Sequence, residues 1–185
     1  MRVLLMGGPG SGKGTLAKTL KDMYNIAHIS TGDILRAERA DGTELGKLAQ
    51  SYMDKGELVP DGLIIDMVKG RVSQHDCAAG YILDGFPRTT AQAEAMQAGG
   101  IDIDVVIMLN VPDEIMASRM QGRAVKEDRT DDADPDVIAS RIAIFHEQTN
   151  PVVTMYRDSG KLFSIDGSVS PEATVAQAKP ILDAL

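Results

Sequence analysis

A short apolar strand, a glycine-rich turn and a lysine follow one another at the start of the chain, and this succession restricts the fold more than any other feature. The run Val3–Met6 predicts a buried strand, and Gly7–Thr15 reads Gly-Gly-Pro-Gly-Ser-Gly-Lys-Gly-Thr. Glycines in such a turn let successive backbone N–H groups point into one concavity, where the N-terminus of the next helix adds further donors. Lys13 can then reach the outer phosphates. The sequence therefore predicts a nucleoside triphosphate site.

Two details of this turn bear on the kind of nucleotide site. The general phosphate-loop pattern has Ser or Thr directly after the lysine, whereas here Gly14 stands in that place and Thr15 follows it. The dinucleotide fingerprint G-x-G-x-x-G does not occur in any register of the turn. Its absence argues against a nicotinamide-dependent enzyme.

Composition excludes several other classes. The chain has 185 residues, with 27 Asp and Glu against 19 Lys and Arg, which gives a formal net charge of -8 and makes nucleic acid a poor candidate for a partner. We find no pattern of a signal peptide and no apolar run near the ~20 residues of a membrane span, and therefore expect a cytoplasmic protein without a membrane segment. The single cysteine, Cys77, excludes an intramolecular disulfide and a cysteine-cluster zinc site.

Strand and helix patterns alternate along the chain, which predicts a parallel sheet with helices on both faces. The predicted strands are Val3–Met6, Ile26–Ile29, Tyr81–Asp84, Val105–Leu109 and Lys161–Ile165. In the first half of the chain, helices are predicted over Gly12–Tyr24, in two stretches within residues 31 to 55, from Pro60, and over Thr90–Ala98. In the second half, they are predicted from Pro112 to about Gln121, from about Pro135 with an interruption near Pro151, and from Pro171. We expect one domain over residues 1–185, with an insertion at 30–59 and a charged loop at 122–134.

An acid and several arginines suggest what the site does with a nucleotide. Asp84 ends a predicted strand, where ligands bind in open parallel sheets, and Arg88 follows it closely. An acid in this place can hold magnesium, although Asp-Gly is also a strong turn pair. Arg119 and Arg123 share one face of a predicted helix, and with Arg129 they border the charged loop. This arrangement suits a lid that closes over a triphosphate.

No residue stands out as a catalytic base. Phosphoryl transfer to a hydroxyl or to water uses a residue that accepts or orients a proton, whereas a phosphate acceptor is already ionised. One lysine, several arginines and a metal-binding acid therefore favour a phosphate acceptor, although Asp33 could act as a base. Arg39, Arg71 and Arg157 are interpreted as solvated surface residues, and the three histidines as structural or solvent-facing.

Four segments together resemble the adenylate kinase family over essentially the whole chain. They are Gly7–Thr15, whose Gly14 and Thr15 are the family's own variant, Ser30–Arg36 with S-T-G-D-I-L-R, Gly56–Val59 with G-E-L-V, and Asp84–Gln92 with D-G-F-P-R-T-T-A-Q. The resemblance implies a three-layer α/β fold of the P-loop NTPase type with a parallel five-stranded sheet. It also implies that 30–59 is a small helical insertion that binds the nucleoside monophosphate, and that 122–134 is a short lid loop.

The resemblance further implies reversible phosphoryl transfer from MgATP to AMP, giving two ADP, and a role for each matching residue. The implied catalytic residues are Lys13, Arg88, Arg123, Arg129 and Arg141. The implied ATP-binding residues are Gly8, Gly10, Ser11, Gly12, Lys13, Gly14, Thr15, Arg119 and Arg123. The implied AMP-binding residues are Thr31, Gly32, Arg36, Glu57, Val59, Gly85, Arg88, Gln92, Arg129 and Arg141. Asp84 and Asp33 would order the water shell of Mg²⁺.

The lid and the base site separate subtypes of this family. Only Ala124–Asp128 lie between Arg123 and Arg129, so the chain resembles the short-lid type, for which we expect no structural zinc and a monomer. A UMP/CMP kinase is the nearest alternative, but it usually has Ala in place of Thr31 and Asn near Gln92. A polar side chain matched to one base edge rejects other bases, because a mismatch leaves buried groups unpaired. Thr31 and Gln92 therefore favour adenine.

Two further alternatives come from other classes. A switch that binds and slowly hydrolyses GTP would carry an Asn-Lys-x-Asp element for guanine, and the sequence has none. A kinase of small hydroxyl metabolites would leave Arg36, Arg88 and Gln92 without a role. A kinase of the resembled family should bind two nucleotides at once, whereas a switch should bind one.

Overall fold

Five parallel strands form a single sheet in the order β2-β3-β1-β4-β5 in the computed structural model, which describes residues 1–126, 132 and 134–185. This architecture confirms the predicted α/β fold with a parallel sheet. The strands are β1 (Arg2–Met6), β2 (Ala27–Ser30), β3 (Tyr81–Asp84), β4 (Val105–Asn110) and β5 (Leu162–Asp166). Each observed strand lies within one residue of the predicted bounds.

Helices connect the strands and cover both faces of the sheet. They are α1 (Lys13–Tyr24), α2 (Thr31–Ala40), α3 (Glu44–Met53), α4 (Asp61–Val72), α5 (Thr90–Ala98), α6 (Asp113–Lys126), α7 (Pro135–Ile144), α8 (Asn150–Asp158) and α9 (Pro171–Asp183). The two predicted stretches between residues 31 and 55 are α2 and α3. None of the described helices combines the length and apolarity that a membrane crossing requires.

The central strand β1 divides the core into two halves. Val3 and Leu5 belong to one cluster of buried apolar side chains, whereas Leu4 and Met6 belong to the other. Side chains alternate across a strand, and a sheet covered on both faces therefore needs a continuous apolar run. Val3–Met6 are at most 2% exposed. The turn that follows β1 consequently starts from a rigid, fully packed strand.

Helix α6 extends further than predicted. It continues to Lys126, about one turn beyond the predicted end at Gln121, so the prediction that 122–126 begin a loop is wrong. Arg123, Ala124 and Lys126 all favour helix, and one glycine at 122 costs only about 1 kcal/mol. Residues 127–131 and 133, which include the predicted site residue Arg129, lie outside the described part of the chain.

The long helical stretch after Pro135 is interrupted where the sequence predicted. A π-helical segment, Phe145–Thr149, lies between α7 and α8, and Pro151 stands in the first turn of α8. Proline has no N–H to donate to the preceding turn, which disturbs the regular i to i−4 pattern on its N-terminal side. The interruption turns Thr149 inward, where its hydroxyl donates a hydrogen bond to the backbone oxygen of Arg88 (2.9 Å).

Candidate active site

The carboxyl ends of the parallel strands open onto one cleft of about 630 Å³, a size common among small-molecule sites. Its lining joins the glycine-rich turn after β1 to the ends of β2, β3 and β5, and to α6 and α7. Many predicted site residues line it, namely Gly10, Ser11, Gly12, Lys13, Gly14, Thr15, Gly32, Asp33, Arg36, Asp84, Gly85, Arg88, Arg119, Arg123 and Arg141. The structure therefore brings together residues that are more than a hundred positions apart in the sequence.

The turn after β1 needs glycine for two physical reasons. Gly10 and Gly12 have φ of 77° and 96°, in the left-handed region that other residues avoid. A Cβ at Gly10 would also lie 2.5 Å from the backbone oxygen of Met116, and one at Gly8 would lie 2.2 Å from the sulfur of the same residue. The turn thus packs directly against α6. Its own helix, α1, begins at Lys13, so that the first N–H groups of α1 face the cleft in the manner of an anion site.

Lys13 bonds to the turn itself. Its Nζ donates hydrogen bonds to the backbone oxygens of Gly7 (2.7 Å) and Gly8 (2.8 Å) and lies 3.3 Å from Ser11 Oγ. Burial disfavours the charged ammonium and lowers the pKa of Lys13 to about 8, while the nearby charge of Asp84 opposes the shift. An anion bound in the cleft would stabilise the charged ammonium of Lys13 and thereby raise its pKa again.

Asp84 is a buried acid of the cleft. It ends β3 opposite Leu5 of β1 and Ser30 of β2, and it is 8% exposed. Burial opposes its ionisation, but the hydrogen bond from His28 and the charge of Lys13 outweigh burial and hold the pKa of Asp84 below its usual value. The distance from His28 Nε2 to Asp84 Oδ2 is 3.3 Å. Asp84 is therefore an ionised carboxylate at neutral pH, close to the phosphate loop.

The donor set suits Mg²⁺ held through water better than a closed protein cage. Asp84 and Asp33 both line the cleft, and an ideal Cβ at Gly14 would lie 3.6 Å from Asp84 Oδ2. Asp33 also forms an ion pair with Arg36 (2.6 Å). Among the residues that the structure describes, no group of three or more His, Cys, Asp and Glu could hold a metal. Mg²⁺ commonly uses one or two carboxylates, waters and substrate phosphates.

A second, smaller pocket adjoins the cleft and shares Arg36 and Arg88 with it. Arg88 donates from Nε to the backbone oxygen of Gly85 (2.8 Å). Burial, helped by the charge of Arg141 and opposed by that of Asp84, lowers the pKa of Arg88 to about 10. Buried cations that repel one another in an otherwise acidic protein mark a site for an anion. The predicted AMP residues Thr31, Glu57, Val59 and Gln92 line this smaller pocket.

On the other side of the cleft, Arg119 and Arg123 project from α6 as predicted. Arg119 donates to the backbone oxygens of Gly167 (2.7 Å) and Ser168 (2.9 Å), in the connection from β5 to α9. This connection also lines the cleft, and the sequence analysis missed it. The sequence does contain one signal for it: Gly167 follows shortly after the predicted strand that corresponds to β5, at the edge of the sheet where ligands bind.

The sequence analysis also missed Asp132. Its carboxylate is fully buried and lies 2.8 Å from Arg123 Nη2 and 2.5 Å from Arg141 Nη1. A buried carboxylate between two guanidinium groups fixes both arginines toward one region of the cleft. The charged loop of the sequence therefore contributes an acid that orients the arginines, in addition to arginines of its own.

These features define the chain as a P-loop NTPase-type protein with a phosphate site and an adjoining arginine-lined pocket. The adenylate kinase family model matches residues 5–161. The chain is 48% identical to the adenylate kinase of Stenotrophomonas maltophilia over 171 residues, which cover 90% of this chain and 91% of the relative. It is also 48% identical to the adenylate kinase of Thermosynechococcus vestitus over 184 residues, which cover 95% of this chain and 94% of the relative. The adenylate kinase of Lachnospira eligens is 40% identical over 212 residues, covering 98% of this chain and all of the relative (100%).

The chain belongs to the adenylate kinase family, which confirms the resemblance found in its motifs. It is accordingly a nucleoside monophosphate kinase, a phosphotransferase that acts on ATP and AMP. The family assignment does not favour the pyrimidine kinase or the GTP switch. The roles of the individual site residues remain predictions.

Proposed function

We propose that the chain catalyses direct, in-line and reversible transfer of the terminal phosphoryl group from MgATP to AMP, giving two ADP. The observation that carries the proposal is a single cleft that joins a phosphate loop to a second pocket lined by Arg36, Arg88 and Gln92. A switch protein that binds one nucleotide has no use for the second pocket. We also propose that the enzyme acts as a monomer, as the resemblance to the short-lid type implies.

On the ATP side, the backbone N–H groups of the glycine-rich turn bind the phosphates, and Lys13 neutralises charge on the transferring group. The N-terminus of α1 reinforces this binding. Arg119 lies beside the connection from β5 to α9, where the nucleoside of ATP would bind. Arg123 binds the phosphates of ATP. The predicted ATP residue Gly8 lies behind this surface and contributes its backbone oxygen to Lys13.

On the AMP side, Arg36 and Arg88 bind the phosphate, and Gln92 recognises the base at the far end of the smaller pocket. Thr31 donates to the backbone oxygen of Gly85 (2.9 Å), which ties the start of the 30–59 insertion to the end of β3. Gly56, Glu57 and Val59 close the same pocket from the end of that insertion. The phosphate of AMP is thereby placed between Arg88 and the cleft that holds ATP.

The transfer step needs charge compensation more than proton transfer, because the attacking phosphate oxygen is already ionised. Lys13, Arg88, Arg123 and Arg141 all line the cleft where the two phosphate chains meet. Preorganised cations in a site that excludes water stabilise the charge that spreads over the transferring group. Arg129, which is predicted to lie in the lid beyond α6, is proposed to join them when the lid closes.

Magnesium fits the acids at the end of the cleft. Asp84, and at the outer edge Asp33, would hold its water shell. Mg²⁺ held there with ATP would supply positive charge that offsets part of the phosphate charge. Asp84 is suited to this role because it stays ionised despite its burial.

A panel of acceptors tests the proposal directly. We expect ADP to form rapidly from MgATP with AMP, and at most slowly with CMP, UMP or GMP, in assays with a control lacking acceptor. Rapid turnover with CMP or UMP would retain the transfer mechanism but make the chain a pyrimidine kinase. Turnover no faster than the control would refute the kinase proposal and leave a binding protein or slow hydrolase.

The lowered pKa of Lys13 predicts a characteristic pH dependence. The free enzyme loses the Lys13 charge as pH rises through about 8, so kcat/KM for MgATP should fall above that pH, whereas below it the ammonium is present. Bound phosphates favour the charged form, so kcat should stay level to about one pH unit higher. Steady-state kinetics from about pH 6.5 to 9.5 measure both profiles. The variant Lys13→Arg, whose side chain stays charged, is the control and should lack the inflection in kcat/KM. A level kcat/KM for the unmodified enzyme would contradict the prediction.

A further inference from the structure

The amide of Gln92 is held from two sides. The side chain is 2% exposed, and its Oε1 accepts a hydrogen bond from the backbone N–H of Arg88 (2.7 Å). Its Nε2 donates to Asp61 Oδ1, also at 2.7 Å. An ionised carboxylate can only accept hydrogen bonds. If the amide were reversed, Oε1 would face the carboxylate and Nε2 would face an N–H group, so one orientation is strongly preferred.

Asp61 is itself fixed in place. It is the first residue of α4, and Pro60 precedes it with a restricted φ of -49°. Its second oxygen, Oδ2, accepts a hydrogen bond from the hydroxyl of Thr89 (3.0 Å), and Thr89 Oγ1 accepts one from the backbone N–H of Gln92 (3.1 Å). Asp61, Thr89 and Gln92 therefore form a closed ring of hydrogen bonds. The ring joins the start of α4 to the start of α5.

The fixed amide leaves a defined pattern for a ligand. One N–H of Nε2 and one lone pair of Oε1 remain, and they present a donor beside an acceptor. The Watson–Crick edge of adenine offers the complementary pair, with N1 as acceptor beside the N6 amino donor. Hypoxanthine and guanine offer the reverse, with N1–H as donor beside O6 as acceptor. Cytosine shares the adenine pattern, so its exclusion depends on the shape of the pocket instead.

We propose that Asp61 is a positioning residue that sets base selectivity by holding the Gln92 amide in the orientation for adenine. The inference rests on the proposed function, in which Gln92 faces the base of the acceptor. It adds a residue that does not line either pocket but decides which hydrogen-bond pattern the pocket presents. Selection between AMP and IMP isolates this pattern, because the two bases have nearly the same size and differ mainly at N1 and position 6.

The test is the ratio of kcat/KM for AMP to kcat/KM for IMP in Asp61→Asn. An asparagine can donate to or accept from either amide orientation, so the reversed amide becomes accessible. We expect the ratio to fall by about tenfold, with a smaller change in kcat/KM for AMP itself. Complete loss of selectivity is not expected, because the Arg88 N–H still opposes reversal. A purely structural role for Asp61 would lower both activities together and leave the ratio unchanged.

Controls separate this proposal from the function on which it rests. Asp66→Asn makes the same chemical change on an exposed part of α4 and should leave the ratio unaltered. Gln92→Ala should lower the ratio at least as much as Asp61→Asn. If only Gln92→Ala lowers it, Asp61 does not position the amide and the inference is overturned. If neither lowers it, base selection does not reside at Gln92, and that part of the proposed function fails with it. Should Asp61→Asn fold poorly, Asp61→Ser provides a second variant with the same expected fall.

Discussion

Replacing Lys13 by methionine will lower kcat by about a thousandfold, the upper end of the range for removing one preorganised oxyanion-hole donor. Methionine retains much of the length and apolar stem of lysine but has no charge. The change therefore removes the group proposed to compensate the transferring phosphoryl. AMP binding should change little, because Arg36 and Arg88 hold that phosphate. Coupled-enzyme kinetics and calorimetric titration with AMP measure the two quantities.

The matched control is Lys21→Met, which removes an exposed lysine from the same helix. Its turnover should equal that of the unmodified enzyme, since Lys21 does not line the cleft. Because Lys13 also bonds to the backbone of Gly7 and Gly8, its loss could loosen the turn, and thermal unfolding should be compared between the two variants. A Lys13→Met enzyme with near-normal kcat would remove Lys13 from the catalytic residues.

The fold was predictable because its main features leave local marks on the sequence. Four consecutive apolar residues, Val3–Met6, indicate a strand buried on both faces, and the structure places their side chains alternately in two core clusters. The glycines at 10 and 12 adopt positive φ, which few other residues tolerate. Such requirements act within a few residues of the chain, so a reader of the sequence can recover them.

Contacts between distant segments were not predictable in the same way. His28 meets Asp84 only because β2 lies next to β3, and strand order leaves no mark on either strand alone. Asp132 lies in a stretch with several acids, and nothing local distinguishes the one that Arg123 and Arg141 bind. The position of Arg129 stays a prediction, since it falls outside the described residues.

Gly122 shows a different limit. The charged stretch 122–134 was predicted to be a loop that begins at this glycine, yet α6 continues to Lys126. The cost of one glycine is small beside the packing of a helix whose buried side includes Met116 and Met120. Tertiary contacts therefore decided this boundary, and Arg123 lies on the same helix as Arg119, before its end at Lys126.

Arg88→Lys is expected to lower kcat/KM for AMP by about a hundredfold while the KM for MgATP changes little. Lysine keeps the charge, so the expected loss isolates the geometry of the guanidinium. The fork of arginine can bind two phosphate oxygens while its Nε donates to Gly85, whereas an ammonium acts as a point charge. Initial rates at varied AMP and saturating MgATP, with calorimetric titration of AMP alone, measure the effect.

The backbone of Arg88 makes this substitution easy to interpret. Its N–H donates to Gln92 Oε1 and its carbonyl accepts from Thr149, so the main chain at this position is held independently of the side chain. The exposed Arg157 provides the matched control, since Arg157→Lys changes the same group far from the cleft. If Arg88→Lys retained kcat/KM for AMP within about threefold, charge alone would explain the anion site. The convergence of buried guanidinium groups at the meeting point of the two pockets would then need a reason other than recognition of the AMP phosphate.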